Sequence, residues 1–273
     1  MTNHNDNFHF KEFGHLDNSL DADYLINSMD VMSSLPCIKS IKKRALETME
    51  LKYGDNILEL GCGHGEDAEA IGKLIGNAGS VVAIDLSQRM INTAQERSKQ
   101  NNVKYIVGDA EFLNYTNQTF SACHADRLLV SHHNYQQVFK EITRVLKPNG
   151  MVCLTEVDAL SIIIYPYNDI TKIILDQLCS SFVNPYIGRM LPKLFIEHGL
   201  KNITVIPQNS MIQSLKTLRQ IFQFDKIAKE AIKKGALTKL AAEQWINNMK
   251  KADEEGKFLY SITFFTVLGI LPI

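Results

Sequence analysis

The clearest chemistry in the chain lies in the run ILELGCGHGED at 57–67. Gly61, Gly63 and Gly65 alternate with Cys62 and His64 between a short apolar stretch and a helical pattern. Glycines at such a junction let the backbone turn sharply and let a ligand approach with no Cβ in the way. The helix that follows offers its unpaired N–H groups to a polar or anionic group. Asp85 ends the next apolar run, about 20 residues after the glycines, where a carboxylate accepts from both hydroxyls of a ribose. Asp109, within Gly108-Asp109-Ala110, ends the third run, where an acid can accept from the exocyclic amine of an adenine. With Glu59 two residues before Gly61, an acid stands at the end of each of three successive runs. That pattern suits a ligand with a ribose, an adenine and a positive centre but no phosphate.

A nicotinamide dinucleotide is the nearest alternative. Its fingerprint is G-x-G-x-x-G, and Glu66 stands where the third glycine belongs. Glu59 would also set like charge against a pyrophosphate. A non-catalytic protein that binds the same ligand stays open as a second alternative. Candidates for general acid–base work are His132 and His133, just past a fourth strand, and Glu156, which with Asp158 falls on one face of a fifth strand. Cys62 reads as a small loop-filling residue, with no base spaced to activate it.

The elements that must position these residues follow a regular alternation. Strands are expected at 56–60, 80–84, 103–107, 120–125 and 151–157. Helices are expected at 66–75, at 87–101 with Ser87 as N-cap, and at 135–146, closed by the turn KPNG. Such alternation implies βαβ units and a parallel sheet covered on both faces. Before it lies a polar lead-in with a helix near 21–33 and another from Pro36 to about Glu50. After it come helices near 169–182 and 188–198, a strand at 201–207, a long helical stretch at 214–253 and a last strand at 257–268.

With these motifs in place, the sequence resembles the class I S-adenosylmethionine-dependent methyltransferases, in the broad small-molecule group that includes quinone-biosynthesis enzymes. The resemblance runs from about residue 56 to 148, through ELGCGHG, AIDLSQRM, GDAEFL, FSACHADRLL and RVLKPNG, and the ending SITFFTVLGILP is similar to that group's last strand. It implies an α/β fold: a seven-stranded Rossmann-like sheet of order 3-2-1-4-5-7-6, last strand antiparallel, flanked by helices. It implies S-adenosyl-L-methionine as cofactor, with Glu59, Gly61, Cys62, Gly63, Gly65 and Asp67 around the methionine moiety. Asp85 would hold the ribose, and Leu86 and Met90 would pack near the adenine. Asp109 and Ala110 would read its edge, and Arg127 would face the cofactor through its backbone. Residues 1–50 are expected as a helical cap segment and 51–273 as the methyltransferase domain, with helical insertions at about 160–195 and 214–253. The apolar side chains of the second insertion suit enclosure of a small apolar or aromatic acceptor. Asp126 with Asp158 raises a divalent metal, as in catechol-type members, but the acid-plus-amide cluster of that group is absent, so no metal is expected.

Composition narrows the partners. Of 273 residues, 45% are hydrophobic and 22% charged, which excludes a disordered chain. Lys+Arg 29 against Asp+Glu 30 leaves a net charge of -1, so no basic excess marks a nucleic-acid binder. Lys42, Lys43 and Arg44 form a compact basic run that reads as a solvated helix face. Five scattered cysteines without a C-x-x-C suit free thiols in a reducing cytoplasm. The polar start lacks a signal-peptide core, and the uncharged stretch 258–273 is too short to span a bilayer and reads as a buried strand.

Overall fold

A computed structural model gives the structure of the protein and describes residues 16–19 and 21–273. Much of the expected polar lead-in therefore lies outside the described residues. Two helices come first, α1 (Ala22–Ser34) and α2 (Pro36–Met49). The alternating half follows: β1 (Asn56–Leu60), α3 (Glu66–Ile75), β2 (Ser80–Asp85), α4 (Gln88–Arg97), β3 (Val103–Val107), β4 (Phe120–Asp126), a short 3-10 turn (Leu129–Ser131), α5 (Tyr135–Val145) and β5 (Leu146–Tyr165). Then come α6 (Asp169–Cys179), α7 (Ile187–Glu197), β6 (Lys201–Ile212), α8 (Leu215–Ile221), α9 (Phe224–Lys233), α10 (Lys239–Glu254) and β7 (Leu259–Ile270). The seven strands form one sheet in the order β3-β2-β1-β4-β5-β7-β6. The pairs β1–β2, β1–β4, β2–β3 and β4–β5 are parallel, and β7 runs antiparallel to both β5 and β6. This is the order and the hand of the last strand that the resemblance implies.

Local sequence explains the elements. β1 lies mid-sheet with helices on both faces, and its last four residues are all buried. In α5, Val138, Phe139, Ile142 and Val145 recur at helical spacing and are the buried positions. Ser87 caps α4 by accepting from the Met90 N–H at 3.2 Å.

Three expectations need correction. α4 stops at Arg97, four residues before Asn101, because Glu69 on α3 draws the chain away: it accepts from the Ser98 hydroxyl at 2.7 Å and the Lys99 N–H at 2.9 Å. β5 is far longer than 151–157, and the KPNG segment is a kinked stretch inside it, with Asn149 at φ 62°. β6 continues past Pro207 to Ile212. Both extensions follow from β7, which supplies partners from Ile270 opposite Met151 to Leu259 opposite Tyr165, and pairs Tyr260 with Ile212 on its other side. Pro207 is tolerated because β6 is an edge strand.

The helices after β5 pack as a second layer. Trp245 of α10 is fully buried, stacks edge-on against Phe224 at 5.7 Å, and donates its indole N–H to the Thr171 hydroxyl at 3.0 Å. Trp245→Ala would leave a large cavity and remove one of the hydrogen bonds made by the Thr171 hydroxyl. It is expected to lower stability by about 3–5 kcal/mol in urea unfolding followed by circular dichroism.

Candidate functional site

A cavity of about 190 Å³ opens at the carboxyl ends of the parallel strands, where ligands bind in open α/β sheets. The glycine loop forms part of its wall through Gly61 and Gly63, at φ 67° and 51°. A Cβ at Gly61 would sit 3.0 Å from the Leu128 side chain, and one at Gly63 2.8 Å from Met29. Gly65, at φ 88°, is the N-cap of α3; a Cβ there would meet the Tyr105 hydroxyl at 2.7 Å. These are left-handed conformations that glycine adopts without Cβ strain.

Asp85 anchors the loop. One of its oxygens accepts from the Gly63 N–H at 2.8 Å, the other from the Ser87 N–H at 2.9 Å. Burial raises its pKa, and those two N–H donors work against the rise. Each carboxylate oxygen, with one such donor, has capacity for a further hydrogen bond. Leu86, Met90, Gly108 and Ala110 line the same end. His132 also lines it, with Nδ1 3.8 Å from a Glu111 oxygen. Burial lowers the His132 pKa even though Asp109, Glu111 and Asp85 pull it upward, so its neutral form is favoured. The other end of the cavity is apolar, walled by Val157, Phe182, Ile212, Phe222, Ile262 and Phe264.

Comparisons with known proteins bear on this arrangement. A methyltransferase-domain family model matches residues 57–150. A demethylmenaquinone methyltransferase of Lactobacillus johnsonii is 31% identical over 162 residues, 58% of this chain and 64% of that protein. The chain thus spans just under two thirds of that relative's length. An uncharacterised 37.1 kDa protein in transposon TN4556 of Streptomyces fradiae is 26% identical over 247 residues, 89% of this chain and 70% of that protein. Among solved structures, phosphoethanolamine N-methyltransferase 2 of Haemonchus contortus, in complex with S-adenosyl-L-methionine, superposes with a TM-score of 0.61 at 17% identity, covering 96% of this chain and 60% of that one. At such identity the likeness is one of fold. The protein carries a class I S-adenosylmethionine-dependent methyltransferase domain.

S-adenosylmethionine is the cofactor of such a domain, and the matched family decides against the nicotinamide reading. The residues present fit the cofactor: a loop kept clear of Cβ atoms, and carboxylate and carbonyl acceptors for hydroxyl and amine donors. Arg127 of the methyltransferase lies on the wall, but Asp126 already pairs with it at 2.6 Å, so its charge is matched within the protein.

Other expected site residues lie off the cavity wall. Glu59 is buried and bonded to His124 Nδ1 at 2.6 Å, beneath the loop. Asp67 is bonded to the Lys42 ammonium, which also reaches Glu66 at 3.3 Å and Asp126 at 3.5 Å. Cys62 is buried, and burial pushes its thiol pKa far up, which suits a filler. Asp109 accepts from the Glu111 N–H at 2.8 Å, closing a turn. His133 is exposed, outside the cavity. Glu156 accepts from the backbone N–H groups of Leu129 and Val130 and holds the 3-10 turn; burial raises its pKa to about 8. Asp158 pairs with Arg189. Asp126 and Asp158 thus both face cations, and among the described residues no group of three or more His, Cys, Asp or Glu is placed to hold a metal ion.

Sequence reasoning missed four contributors. Lys42 is not a solvated face: its side chain is 12% exposed, against 76% for Lys43. A lysine at a core-facing turn of α2 was the available signal. His124 had none beyond being a polar residue in an apolar strand. Met29 and Met32 of α1 line the cavity, and Arg127 donates to Met32 sulfur at 2.7 Å.

The Glu59–His124 pair makes stability depend on pH. Burial raises Glu59 to about 7. Burial also works against a charged His124, but the Glu59 carboxylate outweighs it and holds His124 at about 9. Both folded-state values exceed the unfolded ones, so the native state binds more protons and stability falls as pH rises toward 9. Denaturant midpoints measured from pH 6 to 9.5 are expected to fall, and to fall less steeply in the double variant Glu59→Gln/His124→Gln.

Proposed function

We propose that the protein transfers the methyl group of S-adenosylmethionine to a small, largely apolar or aromatic acceptor by in-line displacement. The observation that carries this reading is one cavity with two unlike ends: glycine loop and Asp85 at one, aromatic and aliphatic side chains at the other. The Lactobacillus relative, a demethylmenaquinone methyltransferase by name, favours an acceptor of this kind. In this proposal residues 1–50 serve as a cap and 51–273 as the catalytic domain, with helical additions at about 160–195 and 214–253. α1 contributes Met29 and Met32 to the cover, and α8 contributes Ile221.

When bound, the cofactor supplies an electrophilic methyl group on a sulfonium. Asp85 would accept from the ribose hydroxyls through its remaining lone pairs. Met90 and Leu86 would pack against the adenine, and the Gly61–Gly63 loop would hold the methionine end. The apolar walls keep water from the reacting atoms, so acceleration comes mainly from alignment in a dry pocket. His132, whose neutral form burial favours, would take a proton from an acceptor hydroxyl or carbon acid. It is the one of the three expected base candidates on the cavity wall. The five cysteines are all free, which favours a reducing compartment, and no described helix is long and apolar enough to cross a membrane.

Thermal unfolding with S-adenosylmethionine, S-adenosylhomocysteine, NAD and NADP is expected to show a raised midpoint with the first two alone. Asp85→Ala should weaken S-adenosylhomocysteine binding at least tenfold by calorimetry. A rise with NAD, or no rise with any compound, would overturn the cofactor half of the proposal. For an acceptor that must lose a proton, His132→Ala should lower kcat by about 10²-fold or more. Unchanged turnover in that variant would leave alignment as the whole mechanism.

A further inference from the structure

Among the residues that line the apolar end of the cavity, one carries a side-chain polar atom with no hydrogen-bond partner. Tyr260 lies on β7, lines the cavity and is 1% exposed. Its hydroxyl is buried and has no hydrogen-bond partner among the described residues. The residue is held in place: β7 pairs Tyr260 with Ile212 on β6 and with Ile164 on β5, and its ring centroid lies 5.5 Å from that of Phe222, with the rings tilted by 47°. Ser210, the other hydroxyl on this wall, is already engaged with the Cys37 sulfur at 3.2 Å.

A buried phenol left unpaired loses its hydration and gains nothing in return, so native proteins rarely keep one without a use. Phenylalanine would fill the same space at no such cost. Strand order places this hydroxyl away from the cofactor residues. Asp85 and the glycine loop belong to β2 and β1, whereas Tyr260 sits on β7, beyond β4 and β5 in the sheet. A molecule at the apolar end, and not the cofactor, is therefore the partner that this position favours.

We propose that the Tyr260 hydroxyl recognises the acceptor, forming a hydrogen bond to a single oxygen on an otherwise apolar molecule. This rests on the methyl-transfer reading above and narrows its substrate class to an apolar skeleton bearing a hydroxyl or carbonyl. A site that hydrogen-bonds one substrate oxygen rejects the analogue that lacks it, because its own buried group is then stranded. The apolar walls give affinity, and Tyr260 gives orientation.

The test uses the full-length protein saturated with S-adenosylhomocysteine, and two probes that differ by one oxygen, 2-naphthol and naphthalene. Calorimetry is run on the wild type and on Tyr260→Phe. The variant is expected to weaken 2-naphthol about tenfold, the worth of one buried hydrogen bond, and to leave naphthalene within about twofold. Its melting temperature and its S-adenosylhomocysteine affinity should match the wild type, which separates recognition from folding. Equal effects on both probes, no effect on either, or no binding of either ring overturns the proposal; an unchanged 2-naphthol affinity would mean the hydroxyl serves a bound water only. Loss of S-adenosylhomocysteine binding in the wild type itself would overturn the cofactor reading instead.

Discussion

The site depends on neutralising buried carboxylates. Glu59, Asp67, Asp126 and Glu156 all lie at or beneath the carboxyl ends of β1, β4 and β5 and the start of α3, and all four are buried. An unpaired charge there would cost several kcal/mol. Each is answered by a specific group. Glu59 and His124 are direct partners across the β1–β4 ladder, so register alone brings them together. Asp126 takes Arg127 and Lys42, Asp67 takes Lys42, and Glu156 takes two backbone N–H groups. Lys42 is the one compensating charge that arrives from outside the sheet, on α2. The first helices are therefore tied electrostatically to the loop that follows β1, and their attachment brings Met29 and Met32 to the cavity.

This compensation decides which acids remain for chemistry. A carboxyl group already engaged by a cation, an imidazole or two amides is poorly placed to reach a substrate proton or a metal ion, whatever its position in the chain. Glu59, Asp67, Asp126, Glu156 and Asp158 are all of that kind. Asp85 differs because its two donors are the backbone N–H groups of Gly63 and Ser87, both residues of the cavity wall, and no cation pairs with it among the described residues. Arg127 leaves β4 at φ 56°, a conformation that costs a non-glycine residue about 1–2 kcal/mol. Its N–H donates to the Thr155 carbonyl at 2.7 Å, and its guanidinium is locked to Asp126. The sharp exit that results sends the chain into the 3-10 turn and brings His132 to the wall while leaving its neighbour His133 in solvent.

Much of the parallel half was legible because its signals are local. β1, α3 and β3 begin and end where apolar runs, glycines and periodicity place them. The loop and Asp85 were readable for the same reason, since they belong to short strand–turn–helix units. The illegible parts depend on residues distant in sequence. β5 is twenty residues long because β7, about a hundred positions later, lies beside it. Lys42 looked like surface because its partners stand 25 and 84 residues away. Glu156 looked like a base because nothing in the sequence says that the amides of Leu129 and Val130 point at it.

The two-ended character of the cavity follows from the sheet itself. Parallel strands β1, β2 and β4 stop at the cavity, so they present loops, backbone N–H groups and carboxylates. The β5–β7–β6 section does not stop there. β5 runs on to Tyr165, β6 to Ile212, and β7 enters from Leu259, so this section projects past the ends of its parallel neighbours. What it offers the cavity is a strand face, not strand ends. Side chains on a face alternate, and the cavity sees Ser210 and Ile212 from β6, and Tyr260, Ile262 and Phe264 from β7. A face of this sort is apolar by the demands of sheet packing, and a polar atom on it must be answered across the gap. A parallel half that ends in donors and acceptors, joined to an antiparallel half that continues as a wall, thus gives a single space one polar and one apolar end.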